Sequence, residues 1–218
     1  MSNLFRSPAA TMALRSGLYA LRSALLEAAN HGNTPAYRRA MSDWYLAADA
    51  YIAIVTSDRT FTCRSGCSAC CFDNPQAISA AEVAVLEDRV DETMRAQLEA
   101  DVARFQQIER DFTGFEAIGV AFKSEKRPCP FLELESGQCR VYKIRPIACR
   151  DFFSESQAEW CHPDHIQNEN VRQLAIEWPT AVRDLLLRIS RCLHPNRPES
   201  SLREALLERL NAPDRGSQ

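Results

Sequence analysis

The stretch Cys63-Arg64-Ser65-Gly66-Cys67-Ser68-Ala69-Cys70-Cys71 decides how this chain of 218 residues is read. Four thiols fall within nine residues, beside a glycine and just ahead of Asn74-Pro75. Such a segment reads as a loop rather than as helix or strand. Soft thiolates at this density select Zn²⁺, Cu(I) or iron–sulfur clusters over hard ions. A short turn from Cys67 to Cys70 can bring two sulfurs to one metal, and distant cysteines then complete the shell. Four such cysteines follow, Cys129, Cys139, Cys149 and Cys161. Burial as a small hydrophobe explains a lone free cysteine, but not a run of this density beside Gly66. The candidate metal ligands are therefore Cys63, Cys67, Cys70, Cys71, Cys129, Cys139, Cys149 and Cys161. One tetrahedral ion or one cubane cluster takes four thiolates. Eight leave three arrangements open: two sites, a multinuclear cluster with bridging sulfurs, or four ligands with four bystanders. The adjacent Cys70 and Cys71 point in different directions in either regular conformation, which argues for more than one metal atom.

Working outward, the flanks read as helix. Leu14, Leu18, Leu21 and Leu25 recur on one helical face. Asn30-His31-Gly32-Asn33 ends that helix, and Thr34-Pro35 starts the next as N-cap and first helical residue. Tyr37, Met41, Trp44, Ala48, Tyr51, Ile52 and Val55 then form a second stripe, so the two segments pair as a hairpin. Ser79-Ala80-Ala81-Glu82 is a capping box. It is expected to open one long helix through Val83, Leu86, Val90, Met94, Leu98, Val102 and Phe105. Residues 111–160 read as irregular, with a small hairpin around Ser136-Gly137 and a short helix from Pro146 that carries Cys149. Helix amides there would lower the Cys149 pKa. Residues 163–193 read as helix bent at Pro179, with Cys192 in the core beside Leu185, Leu186 and Ile189. A last helix capped by Ser200 or Ser201 runs through Leu202, Leu206, Leu207 and Leu210. The expected fold is mainly α, a helical bundle with an irregular cysteine-rich metal-binding insert containing a small β-hairpin. The expected division is 1–58, 59–165 and 166–218, all within one compact domain.

Composition excludes several classes. Apolar residues make up 45% of the chain, which rules out disorder as a whole. Lys and Arg number 26 against 29 Asp and Glu, a net charge of −3, so nucleic acid is not an expected partner. No run of about 18 apolar residues spans a membrane. Arg15 and Arg22 interrupt the N-terminal apolar pattern, so no secretory signal is read there and the expected location is cytoplasmic. In that compartment thiols stay reduced, and clustered cysteines point to metal.

The motif Cys63-x3-Cys67-x2-Cys70-Cys71, followed by Cys129-Pro130-Phe131-Leu132, Gly137-x-Cys139-x-Val141-Tyr142, Arg145-Pro146 and Cys149-Arg150, resembles the YkgJ-like cysteine-cluster family over about residues 60–165. Members are described as zinc- or iron-chelating proteins. The resemblance implies a metal site. Flagellin lysine N-methylases are similar in this motif and are described as using an iron–sulfur cluster in methyl transfer. The expected cofactor is an iron–sulfur cluster, of the 4Fe-4S type, or iron, with zinc as the alternative. The expected function is a thiolate metal centre supporting methyl- or electron-transfer chemistry. The alternatives are a non-catalytic zinc protein that presents a surface to a partner, and metal storage or delivery. The expected partners are metal ions and an unidentified protein or small molecule.

Two other readings of the residues carry less weight. Cys63-x3-Cys67-x2-Cys70 also fits the cluster motif of radical S-adenosylmethionine enzymes, but those need a parallel barrel where this chain shows long helices. Ala69 also stands where those enzymes usually place an aromatic. His162 and His165 are candidate imidazole ligands, although helix-capping or solvated histidines are commoner in such segments; His31 and His194 read as helix ends. Lys123, Lys126, Arg127, Arg140, Lys143, Arg145 and Arg150 make the insert basic. They read first as compensation for thiolate charge and second as an anion site. Arg150, next to Cys149, is the best candidate for contact with a cofactor.

Overall fold

A computed structural model of the chain describes residues 7–64, 66–73, 78–165, 173–196 and 199–211. Helix α1, Pro8–His31, begins where the Ser7 side chain accepts the amide of Ala10. It ends at Gly32, whose φ of 73° is open to glycine at little cost. Two residues later Thr34 accepts the amide of Tyr37 and starts α2, Pro35–Val55. The short connection folds the two helices back on each other. They meet closely because Gly17 lies under the Trp44 indole; a Cβ at that position would stand 2.7 Å from a ring carbon.

The capping box forms as read. Ser79 accepts the amide of Glu82, and Glu82 accepts the amide of Ser79. The long helix expected beyond it does not form. Helix α3 covers only Ala80–Val83, a 3₁₀ turn follows over Glu87–Arg89, and α4 runs from Glu92 to Asp111. The break has a local cause: Val90 is extended and Asp91 caps the new helix by accepting the Met94 amide at 2.8 Å. The apolar stripe keeps its phase across the break, since Leu86, Met94 and Leu98 are all buried. Periodicity alone therefore could not show it. The region expected to be irregular also holds α5, Phe115–Ser124.

Among the described residues the β structure is limited to two-residue and three-residue strands. Strand β1 (Ile78–Ser79) pairs with β6 (Glu199–Ser200), β2 (Leu132–Glu133) with β3 (Gln138–Cys139), and β4 (Phe152–Ser154) with β5 (Gln173–Ala175), all antiparallel. The second pair is the expected hairpin, with Gly137 at φ 68° in its turn. The third corrects the reading of 163–193 as helix bent at Pro179. After a 3₁₀ turn at Pro163–His165, residues 173–175 are strand, and α6 runs only over Thr180–Leu193, directly after Pro179. Residues 166–172 of that stretch lie outside the described residues. Helix α7, Leu202–Asn211, starts at Ser201, whose hydroxyl accepts the Glu204 amide.

Two apolar clusters flank the cysteine region. One joins α1, α2, α3 and α6 with Ile147 and Trp178. The other joins Ile78, Val83 and Leu86 with Met94 and Leu98 of α4, Leu202 and Leu206 of α7, and Phe131 and Val141 of the hairpin. Cys192 is exposed, a correction to its placement in the core. The buried stripe of α6 is Val182, Leu185, Leu186, Ile189 and Leu193, which leaves Cys192 off the apolar face. The architecture is mainly helical, with small antiparallel sheets around a cysteine-rich region. No helix among the described residues is long and apolar enough to cross a membrane.

Candidate metal centre

Four short irregular segments carry the eight cysteines to one region. The first is residues 61–72. Thr62 donates its amide to Ser154 O at 3.0 Å, and Ser154 donates its own amide to Cys63 Sγ at 3.2 Å, so Cys63 lies along β4. A 3₁₀ turn over Ala69–Phe72 carries Cys70 and Cys71. The second segment meets the first where Cys129 donates its amide to Cys71 O at 2.7 Å. Cys139 follows on β3, opposite Leu132. Cys149 ends a 3₁₀ turn begun by Pro146, and Cys161 ends another over Ala158–Cys161.

Glycine lets the first segment and the hairpin touch. Gly137 packs so closely on Gly66 that a Cβ on it would stand 2.6 Å from the Gly66 carbonyl oxygen. Both residues have positive φ. The Gly137→Ala variant should therefore lose about 1–3 kcal/mol from backbone strain alone. The clash would also push Cys139 away from the Cys67 loop. Less metal bound per chain, with helical circular dichroism retained, is the expected result; unchanged metal content would show that this contact does not position the thiols.

The sulfurs fall into two groups. Cys63, Cys67, Cys70 and Cys161 line one cleft together with Asp73, Lys123 and Phe152. Cys63 and Cys70 are exposed there. Cys71, Cys129, Cys139 and Cys149, outside the cleft lining, form an inner group coupled electrostatically through Cys129 and Cys139, and none of the four is exposed. Cys70 stands at the junction, hydrogen-bonded through sulfur to Cys71 and coupled to sulfurs of both groups. Among the described residues, no three His, Cys, Asp or Glu side chains already converge on a single point as ligands would.

Burial opposes leaving Cys129 and Cys149 ionised without a cation nearby. Burial pushes the Cys129 thiol up to about 11, and pushes Cys149 well above the ordinary thiol value. This corrects the expectation that helix amides lower Cys149; a turn of three residues supplies too few aligned amides to offset the desolvation. Cys71 is raised because it donates its proton to Cys70, and that bond holds Cys70 down to about 7. Cys139 and Cys63 are raised by burial. A thiolate next to a bound cation escapes this cost, so the donor set fits a soft metal. The Tyr45 hydroxyl adds a second observation. It is buried, lacks a hydrogen-bond partner among the described residues, and is coupled to Cys149.

Two buried arginines anchor the inner group. Arg150 donates Nε to Arg145 O at 2.8 Å, Nη2 to Lys143 O and Nη1 to Asp49 of α2, and lies 4.6 Å from the Tyr45 ring centroid. Its donors are committed to the segment that leads to Cys149. Arg203 of α7 does the same for the other segments: Nε to Asp101 Oδ2 at 3.1 Å, Nη1 to Asp73 O at 2.9 Å and Nη2 to Arg127 O at 3.1 Å. Arg203 also lowers the cost of a thiolate at Cys129. Sequence reasoning missed both Arg203 and Asp101, because nothing local marks a pair 102 residues apart. Glu82 was read only as a cap. Its Oε1 also accepts the Ile147 amide at 2.6 Å, tying α3 to the Cys149 turn.

The remaining basic residues are mostly neutralised. Lys123 pairs with Asp73, Lys126 with Asp164, Arg127 with Asp101, and Arg140 with Glu133. Arg145 stacks 3.7 Å over Tyr142 and donates to Cys149 O. His162 lies edge-on to Phe72 with Nδ1 toward Asp164, while His31 ends α1 and His194 caps α6.

Residues 62–171, half of the chain, match the model of the CxxCxxCC family, described as a "putative zinc- or iron-chelating domain". The chain belongs to the CxxCxxCC family. This is the resemblance that the cysteine motif carried, and it supports zinc or iron chelation without deciding between the two. No curated protein and no solved structure matches the chain. All eight cysteines fall within the matched region, whereas Cys192, α6 and α7, including Arg203, fall outside it.

Proposed function

We propose that this CxxCxxCC protein holds metal at two four-thiolate sites. Cys63, Cys67, Cys70 and Cys161 form an outer site, and Cys71, Cys129, Cys139 and Cys149 an inner one. The grouping of the sulfurs into four that line one cleft, with Cys63 and Cys70 exposed in it, and four outside its lining, none of them exposed, carries this reading. Division four and four also meets the coordination number of a tetrahedral ion or a cubane cluster at each. The inner metal serves folding: it joins the hairpin, packed in one apolar cluster together with Ala148, to the Cys149 turn, whose Ile147 reaches the other cluster. The outer metal, open to solvent, is iron or an iron–sulfur cluster that meets another molecule. Zinc in the outer site, with no chemistry of its own, is the second reading, because thiolate ligands suit either metal. Transfer of electrons suits an exposed cluster; methyl transfer has no support in the residues of the cleft. The flanking helices belong with the cysteine region in one domain, and a reducing compartment such as the cytoplasm suits thiols that are all free.

Anaerobic purification followed by elemental analysis and absorption spectroscopy tests this. Iron with visible charge-transfer absorption supports the cluster; colourless protein with zinc supports the second reading. Cys67→Ser and Cys70→Ser should each bind less metal and unfold more easily, while Cys192→Ser keeps full occupancy. Normal metal content in both of the first two variants would overturn the ligand assignment.

A further inference from the structure

Among the described residues, no other element packs on the outer face of the α1/α2 hairpin. Helix α1 packs inward on α2 and α6. On its far side Met12, Tyr19 and Leu26 are 71%, 75% and 65% exposed. They are spaced seven residues apart, with exposed Ser16 and half-buried Ser23 between them. Leu46 of α2 is 69% exposed, on a stripe with Arg39, Asp43, Ala50 and Ala53 that has the same four-and-three spacing. A groove runs between the stripes over Ala13, Ala20, Ala40 and Ala47. Large apolar side chains at heptad spacing are expensive to leave in water and are the pattern that packs helices side by side.

We propose that this face is a two-fold interface with a second copy of the chain, closing two hairpins into a four-helix bundle. Three observations select that occupant. First, the projecting Tyr19 and Leu46 and the alanine-floored groove that can receive them lie on the same patch, the self-complementarity that an isologous contact requires. Second, the patch carries opposite charges. Arg15, Arg22, Arg39 and Asp43 have no ion-pair partner among the described residues, so Asp43 of one copy can meet an arginine of the other. Third, the area is sufficient. A helix of 24 residues is about 36 Å long. Two such helices side by side present a face about 20 Å wide, hence roughly 700 Å² per copy, close to the ~800 Å² of a stable interface.

Sedimentation equilibrium of the full metal-loaded chain should give twice the chain mass at micromolar concentration. Tyr19→Glu/Leu46→Glu should weaken the dimer at least about tenfold while leaving the metal content per chain unchanged. If that double variant fails to fold, Ser16→Arg, at an exposed position with no apolar contact to lose, replaces it and should have the same effect. A wild-type monomer, a dimer untouched by a folded variant, or open-ended assembly would each overturn the proposal.

Discussion

Replacing Arg203 by methionine should remove about 3–5 kcal/mol of stability, a large part of what an ordinary domain has. Arg203 and Asp101 are both almost wholly buried, at 1% and 3% side-chain exposure, with Nε 3.1 Å from Oδ2. Without the guanidinium, the Asp101 carboxylate keeps only Arg127 as an ionic partner among the described residues. The carbonyls of Asp73 and Arg127 each lose a donor as well. Methionine fills similar space, so the loss is of charge and hydrogen bonds rather than volume. Arg203→Lys should fall between the two, since an ammonium keeps the charge but cannot reach three acceptors in a planar fork. Adding Asp101→Leu to Arg203→Met should recover part of the stability, because a buried pair replaced on both sides leaves no orphan charge. Metal content should not recover, since Asp73 and Arg127 still flank the cysteines without their clamp. Urea denaturation of the four proteins, with metal content measured on each, tests this. Full recovery of both quantities in the double variant would show that Arg203 only neutralises Asp101.

Removing one inner thiol should be more damaging than removing one outer thiol. Cys129→Ser leaves the backbone bond from Cys129 to Cys71 O possible but deletes the sulfur that stands between Cys71, Cys139 and Cys149. A serine hydroxyl is not a soft ligand and does not ionise at neutral pH. Binding energy at a structural thiolate site is folding energy, on the order of 10 kcal/mol for zinc. Even partial loss therefore reaches several kcal/mol, and Cys129→Ser should fail to accumulate as a folded chain. Cys63→Ser sits at the rim of the open cleft, and its loss should cost the outer metal while leaving the helices folded. Thermal melts followed by circular dichroism separate the two outcomes. Equal stability of Cys129→Ser and Cys63→Ser would contradict the division into an inner structural and an outer exposed set.

Much of this could be read from the residues alone, where the determinants are local. Thr34-Pro35, the Ser79–Glu82 box and the Gly137 turn all behave as their chemistry dictates, because a cap or a turn is settled within four residues. The cysteine loop was legible for the same reason. What failed needed information from across the chain. The break before α4 preserves the apolar phase, so a stripe through Leu86, Met94 and Leu98 looks continuous in sequence although the backbone is not. Residues 173–175 are strand because β4 offers them a partner, not because of their own pattern. Cys192 lies one position before the apolar Leu193 and was assigned to a stripe it does not join. Arg203 and Arg150 look like surface charges until Asp101, Asp49 and the surrounding carbonyls are placed around them.

The division of the sulfurs can be tested with one measurement, metal content per chain in the anaerobically purified Cys63→Ser/Cys161→Ser double variant beside the parent protein. The variant should stay folded and lose the metal of the cleft while keeping that of the inner four thiolates. Loss of all metal, or retention of all of it, would contradict two separate sites.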